Sequence, residues 1–276
     1  MVEILKVGLF KYKLNLSLLL RVKKFLLSFT TIILFTIPSV TISSEEVTLY
    51  RWETSDGKVW KTFGDKDSHD QYKGEVDKTN GKLYPWGLGI LTWLDGSKYV
   101  GEFIDGDPFG KGIYYHKDGS IFKGEFYRDL TYSIIGTKTL GKYRYEGNFS
   151  NFKLSGKGKK YVLDELMYEG EFLDGKYHGY GKYSSSYGTY EGEFKNGERD
   201  GQGTLILHGV KYVGDFKNGN KHGMGVESYK ESHQTDDFCK GEWRDDWKYK
   251  VKYFTKEGRL YREENHETKE FIDYKE

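Results

Sequence analysis

The chain has 276 residues, 31% charged and 37% hydrophobic, a balance too polar for a multispan membrane protein and too aromatic for a disordered one. Its 24 Tyr, 17 Phe and 6 Trp accompany 35 Gly and only 3 Pro, the composition of strands and turns. The formal net charge of +1 conceals a split: Lys6, Lys11, Lys13, Arg21, Lys23 and Lys24 against Glu3 give residues 1–44 a charge of +5, leaving −4 for the remainder and no basic footprint for nucleic acid.

Residues 1–44 form the first predicted element. The basic run "RVKK" (21–24) precedes "FLLSFTTIILFTIPSVTISS", whose strongly apolar part runs from Phe25 to Ile37 and is broken by Pro38. A positive segment, an apolar stretch and small residues near Thr41 and Ser43 predict a secretory signal cleaved close to Ser43 or Ser44. The alternative is a retained membrane anchor over 25–44, because about 20 apolar residues span a bilayer. The long segment before Lys23 suggests initiation at Val22 instead of Met1. Cys239 is the single cysteine, so neither an internal disulfide nor a lipid anchor near the cleavage region is available. The predicted location is exported: periplasm, outer envelope or secreted.

Residues 45–71 are predicted to form an N-terminal cap. "VTLYRWETSDGKVWKTF" (47–63) reads as a hairpin around Asp56-Gly57, with Tyr50, Trp52 and Trp60 available to cover the next unit. The acidic stretch "GDKDSHD" (64–70) brings Asp65, Asp67, His69 and Asp70 together, but it lacks the glycine and distal glutamate of a calcium loop and reads as a solvated connection.

From residue 72 the chain repeats itself. An aromatic-x-Gly start recurs at Tyr72, Tyr99, Phe122, Tyr145, Tyr168, Tyr190 and Tyr212, spaced 27, 23, 23, 23, 22 and 22 residues, and an eighth copy, "CKGEW", begins at Cys239. Such a period means stacked supersecondary units. In "YEGEF", Tyr190, Gly192 and Phe194 share one strand face, and Glu191 and Glu193 the other. "KNGE" turns the chain at Asn196-Gly197, and "GQGTLIL" returns it with Gly201, Gly203, Leu205 and Leu207 on one face. Second turns are written Asp95-Gly96, Asp118-Gly119, Gly188 or Gly209. Each unit is therefore one hairpin, too small to stand alone. Stacking is expected to set the aromatics of one unit into the glycine gaps of the next, giving an elongated single-layer antiparallel array, all-β apart from an N-terminal hydrophobic helix.

The pattern YxGEFxxGxxxGxG, in "YVGEFIDGDPFGKG" (99–112), "YEGEFLDGKYHGYG" (168–181), "YEGEFKNGERDGQG" (190–203) and "YVGDFKNGNKHGMG" (212–225), resembles the MORN (membrane occupation and recognition nexus) repeat. The resemblance covers about residues 72–245 and is to a bacterial-type, exported protein of this kind. Its structural glycines fall at Gly101, Gly110, Gly112, Gly170, Gly179, Gly181, Gly192, Gly201, Gly203, Gly214, Gly223 and Gly225. Three units depart from it. In the first, Gly87 and Gly89 fall late; the third has Ser133 and Ile135 at the paired-glycine positions; the fourth keeps Gly156 and Gly158 but has Phe152 for the first-turn glycine. A kink, bulge or bend is expected near residues 127–143. A second capping hairpin around Glu257-Gly258 is predicted within 246–263, and residues 264–276 are a charged tail expected to fray.

Candidate chemistry is sparse. Carboxylates recur at the third motif position (Glu75, Glu102, Glu125, Glu171, Glu193, Asp215, Glu242) on the face opposite the rings. Paired carboxylates cleave glycosides in some enzymes, but a repeat copies its surface with its core, so the expected role is structural. His178 and His222 precede the paired glycines in a variable slot that reads as a turn, not as a source of metal ligands. No catalytic residues, cofactor or metal are predicted. The resemblance implies a non-catalytic scaffold that binds a partner protein or itself, with lipid headgroup or glycan binding as the alternative and hydrolysis by the carboxylates as the remote one. The groove aromatics Tyr99, Phe103, Tyr168, Phe172, Tyr190, Phe194, Tyr212 and Phe216 are the predicted binding residues.

Overall fold

A computed structural model describes residues 47–127, 133–229 and 238–274, all within the compact unit 42–276. The expected signal or anchor, residues 1–44, lies outside the described residues. Twenty strands make one open antiparallel sheet. They are β1 (Val47–Thr54), β2 (Gly57–Lys61), β3 (Asp70–Thr79), β4 (Lys82–Thr92), β5 (Lys98–Ile104), β6 (Asp107–Tyr115), β7 (Ile121–Tyr127), β8 (Ser133–Leu140), β9 (Tyr143–Ser150) and β10 (Lys153–Val162). After them come β11 (Glu165–Leu173), β12 (Lys176–Ser185), β13 (Gly188–Lys195), β14 (Glu198–Leu207), β15 (Val210–Lys217), β16 (Asn220–Tyr229), β17 (Phe238–Arg244), β18 (Trp247–Phe254), β19 (Leu260–Asn265) and β20 (Glu270–Asp273). β1 pairs with both β2 and β3; from β3 onward each strand pairs with the next in sequence. The array of hairpins is as the repeat predicts.

Register lines up the motif across the whole sheet. Gly74 opposes Gly89, Gly89 opposes Gly101, and the series continues through Gly112, Gly124, Gly136, Gly147, Gly158, Gly170, Gly181, Gly192, Gly203 and Gly214 to Gly225 and Gly241. One uninterrupted file of glycine therefore crosses β3–β17. The absence of side chains along it makes room for rings. A Cβ on Gly203 would overlap the Tyr190 ring, and Gly112, Gly181 and Gly225 stand in the same relation to Tyr99, Tyr168 and Tyr212. This corrects the expected packing: Tyr72, Tyr99, Tyr168, Tyr190 and Tyr212 each fill the glycine gap of their own hairpin, not that of a neighbour.

Contact between units is made by the second aromatic. Tyr168 meets Phe172 of its own hairpin at 5.0 Å and Phe194 of the next at 5.2 Å, both edge to face. Tyr190 repeats this with Phe194 and Phe216, and Tyr212 with Phe216 and Trp243, the last replacing Phe in the eighth unit. Such pairs contribute about 0.5–1.5 kcal/mol beyond their buried area. A backbone staple accompanies them: the turn N–H of Gly175, Gly197 and Gly219 donates to the carbonyl of Leu154, Tyr177 and Arg199 in the preceding unit. Asn196 and Gly197 have φ of 54° and 97°, the paired positive values of a tight hairpin turn.

The paired glycines are not two equivalent gaps. Across β13 and β14, Gly192 to Phe194 faces Gly203 to Arg199, so β14 carries two extra residues and bulges. Gly201 sits in the bulge with φ of 107°, and Gly110, Gly179 and Gly223 do the same at 67°, 56° and 72°. The bulge takes the intervening Glu193 carbonyl out of the ladder, and the Tyr190 hydroxyl donates to it at 3.0 Å. Tyr72, Tyr99, Tyr168 and Tyr212 donate to Glu75, Glu102, Glu171 and Asp215 in the same way.

The third unit confirms the logic by lacking both parts. β7 and β8 run in unbroken register from Ile121↔Thr139 to Tyr127↔Ser133, with Gly136 opposite Gly124. Among the described residues the register of 133–143 therefore contains no bulge, and residues 128–132 of the expected irregular stretch lie outside the described residues. The missing glycine is the bulge residue, so without it the ladder is regular, and the ring there is Phe122, which has no hydroxyl. In the fourth unit Leu154 occupies the glycine gap against Gly147 and Gly158, and Phe152, at φ of 59°, packs on Tyr114 and Phe122.

At the start of the sheet Leu49 is the buried residue of β1, and Trp60 alone of the three expected aromatics reaches Tyr72; Trp52 turns to Phe63 and His69. At the far end, the tail expected to fray contains β20, paired with β19 from Asn265↔Glu270 to Arg262↔Asp273.

Candidate functional site

The eight aromatics expected to line a groove, Tyr99, Phe103, Tyr168, Phe172, Tyr190, Phe194, Tyr212 and Phe216, are between 0% and 6% exposed. They are corrected from binding surface to core. Their rings fill glycine gaps and touch each other, so little of them is left for a partner.

Facing the rings across each hairpin stands a second set of residues. Each stands two places after the file glycine of its returning strand, directly opposite the first aromatic of the hairpin: Leu91, Tyr114, Lys138, Lys160, Tyr183, Leu205 and Glu227. Tyr114 and Leu91 are buried, whereas Lys160, Tyr183 and Leu205 are half-buried. The variable residue at each of these places sets the local character of the face. Sequence reasoning passes over the position because it varies, although its spacing from the glycine is constant.

Lys160 lies between Tyr145 on β9 and Tyr168 on β11, with its Nζ 5.3 Å from the Tyr143 ring, 5.8 Å from Tyr145 and 5.6 Å from Tyr177. Burial lowers its pKa. Further along, Tyr177, Tyr183, Arg199, Leu205 and Leu207 line a concavity of ≈ 410 Å³ floored by Tyr190 and Phe194. Arg199 is placed there by the bulge, opposite Phe194, and its guanidinium lies 5.7 Å from Tyr190 and 5.2 Å from Phe216. A neighbouring concavity, also ≈ 410 Å³, shares Arg199, Leu205 and Leu207 and ends at Lys221 and Glu227.

Glu227 closes that end. It is 6% exposed, bonded to Lys221, and within 2.9 Å of Lys248 and 2.7 Å of the Tyr229 hydroxyl. Burial opposes its charge, but these three partners outweigh it and hold the carboxyl at about 2. Lys248 is raised correspondingly: burial opposes its charge, and Tyr229 and Glu227 overcome that. Cys239 is fully buried opposite Glu227, and burial raises its pKa. The cluster is a paired, buried set of charges in the place where the previous unit has Leu205.

The recurrent carboxylates have a local task. Glu193 accepts from the Gln202 N–H at 3.0 Å, and Asp215 from the Met224 N–H at 2.8 Å, in each case the residue after the bulge glycine. A Cβ on Gly110, Gly179, Gly201 or Gly223 would meet the side chain of Glu102, Glu171, Glu193 or Asp215. The carboxylates thus cap the bulge from behind, which explains why the motif keeps an acid and a glycine together. His178 and His222 stand in β12 and β16 beside the same bulges, not in turns as expected. In "GDKDSHD", the Asp65 carbonyl accepts from Ser68 and His69 and its carboxylate from the Asp67 N–H, while Asp70 pairs with Arg51.

The opposite face carries its own file. Glu146, Lys159, Glu169, Lys182 and Glu191 oppose one another in turn on β9–β13, with Lys159–Glu169 at 3.2 Å and Lys182–Glu191 at 3.7 Å. These exposed pairs add little to stability. They neutralise that face, whereas Lys160 on the ring face has no ion-pair partner among the described residues.

The family model described as MORN repeat matches residues 99–121, 168–189, 190–207 and 212–233. The matched units are the second, fifth, sixth and seventh hairpins of the repeat, all of which have the bulge and the tyrosine hydroxyl bond. No curated protein matches the chain.

Proposed function

We propose that this chain, with MORN repeats at four positions, is a non-catalytic binding scaffold of the cell envelope or exterior that holds a partner protein along the ring face of its sheet. MORN repeats are in general non-catalytic modules for binding proteins or lipids. The observation that carries the reading is the row of half-exposed side chains beside the buried rings: Tyr145, Lys160, Tyr183 and Leu205 stand on consecutively paired strands of one sheet. A partner laid across the strands meets one such residue on every second strand. The exported location rests on residues 21–44, a basic run followed by an apolar stretch and small residues.

A photo-crosslinking residue at position 183 tests the face, with position 180 as its control. Tyr183 and Tyr180 share β12 but point to opposite faces, opposing Tyr190 and Glu193 respectively. In cells producing the full chain, a discrete protein adduct is expected from 183 and none from 180. Adducts from neither position, or equally from both, would refute the assignment. Fractionation with N-terminal sequencing tests the location; a full-length chain in the cytosol would refute it.

A further inference from the structure

On the ring face of β8–β14, three cations have no ion-pair partner among the described residues: Lys138, Lys160 and Arg199. Lys138 and Lys160 oppose Tyr145 from either side, Lys138 lying 5.0 Å from the Phe122 ring. Each is held against an aromatic ring, a weak substitute for a carboxylate. Elsewhere in the same row the charge present, Glu227, is fully paired with Lys221 and Lys248. Glu198 is the acid lining one Arg199 concavity, and Glu227 and Asp246 line the other with Lys221. The rest of the chain has the opposite bias, with a charge of −4 over residues 45–276. A positive, aromatic strip on a mildly acidic body attracts a negative partner.

From this juxtaposition we infer that the strip formed by Lys138, Lys160, Tyr183 and Arg199 binds an extended acidic segment of a partner protein, in which carboxylates alternate with apolar side chains. The inference rests on the protein-partner reading and names the chemistry of the partner. The apolar part comes from Leu205 and Leu207, which wall the concavity beside Tyr177 and Tyr183. The aliphatic walls accept Leu or aromatic side chains. Spacing is set by the sheet. Lys138 on β8, Lys160 on β10 and Arg199 on β14 are two and four strands apart. At ~4.8 Å per strand the first interval is roughly 10 Å; the second combines roughly 19 Å across the strands with roughly 13 Å along them, because Lys160 is level with Tyr190 and Arg199 stands opposite Phe194, and so is roughly 23 Å. An extended chain at ~3.3 Å per residue spans these in about three and seven residues, so the segment carries acids about three and then seven positions apart. Burial already lowers the proton affinity of Lys160 in the free protein, so an arriving carboxylate restores a favourable setting for its charge.

The test is fluorescence anisotropy with the full chain and a labelled undecapeptide bearing Glu at its first, fourth and eleventh positions, with Leu and Tyr alternating with Ser elsewhere. Binding that weakens with salt is expected. Lys160→Gln and Arg199→Gln should each weaken it about five- to tenfold, as expected for loss of a partly desolvated charge contact, and Lys160→Arg should largely retain it. Circular dichroism of each variant checks that the sheet is intact, which these half-exposed positions favour. Equal binding of a peptide with Gln at the three positions, or unchanged binding by both Gln variants, would overturn the inference. So would displacement of the peptide by oligogalacturonate at matched carboxylate concentration, which would make the occupant an acidic glycan. If the peptide fails to bind while position 183 still crosslinks to a protein, the acidic chemistry falls and the scaffold reading stands; if neither occurs, both fall.

Discussion

Removing one oxygen from Tyr190 tests the account of the bulge. Its ring is 2% exposed and its hydroxyl donates to the Glu193 carbonyl at 3.0 Å, the acceptor that the β13–β14 bulge takes out of the ladder. Burial pushes the phenol up to about 12, so it is a neutral donor at any ordinary pH. Tyr190→Phe keeps the ring in the Gly203 gap and leaves that carbonyl alone. An unsatisfied buried acceptor costs about 1–3 kcal/mol, partly offset by no longer burying a hydroxyl, so a loss of about 1–2 kcal/mol is expected. The converse change, Phe122→Tyr, enters a hairpin whose Glu125 opposes Ile135 in an unbroken ladder. The new hydroxyl has no orphaned carbonyl to bond and should also destabilise, by about 1–3 kcal/mol. The Tyr190 ring contacts Phe194 of its own hairpin and Phe216 of the next, so the loss is expected to be local. Hydrogen exchange by mass spectrometry should show amides of 188–207 exchanging about 5–30-fold faster in Tyr190→Phe, with those of 47–61 unchanged. Unaltered protection in Tyr190→Phe, or a Phe122→Tyr chain as stable as the parent, would refute the linkage of bulge and hydroxyl.

The same geometry sets three further outcomes. Gly192→Ala places its Cβ 2.5 Å from the Gln202 carbonyl oxygen and the Gly203 Cα, both backbone, so the glycine file must part; a loss of about 3 kcal/mol or more in urea titration is expected, whereas Gly197→Ala, open in space but at positive φ, should lose only about 1 kcal/mol. The Glu227 carboxyl is lowered from 4.5 to about 2, so its stabilisation is complete above about pH 4.5 and is lost as pH falls towards 2, by roughly 3 kcal/mol. Against Glu227→Gln, the parent chain should therefore lose stability more steeply between pH 4.5 and 2, and parallel curves would exclude the pairing with Lys221 and Lys248. Glu193→Gln retains an acceptor for the Gln202 N–H but loses the charge, so its melting temperature should drop by only a few degrees, whereas Glu193→Ala should expose the bulge and accelerate exchange at Gln202; equal behaviour of the two would remove the carboxylate from its capping role.

Particular residues mark how far the sequence can be read. The period, the alternation of Tyr190, Gly192 and Phe194, and the turn at Asn196-Gly197 all translate into the hairpins found, because strand and turn preferences act within a few residues. Gly201 and Gly203 read as a matched pair in the sequence, and only one is a ring gap. Alternation counts residues along one strand, whereas a bulge is a mismatch in count between two. The rings expected to form the binding surface are the core for a related reason: a pattern identifies which side chains share a face but says nothing about how deeply the neighbouring turns and strands cover them. His178 and His222 lie in strands, and the tail contains β20, because pairing partners and not local composition decide where a ladder ends.

Sequence alone determined the class of structure: repeated hairpins in one antiparallel sheet, with aromatics and glycines on a common face. Both depend on contacts between residues close in the chain. The tertiary structure decided the glycine file from Gly74 to Gly241, the tie between bulge and tyrosine hydroxyl in the hairpins of Tyr72, Tyr99, Tyr168, Tyr190 and Tyr212, and the surface that remains above the core. That surface is set by the residue opposite the first aromatic of each hairpin, from Leu91 to Lys160 to Glu227, whose exposure and charge pairing depend on strands that register alone brings together.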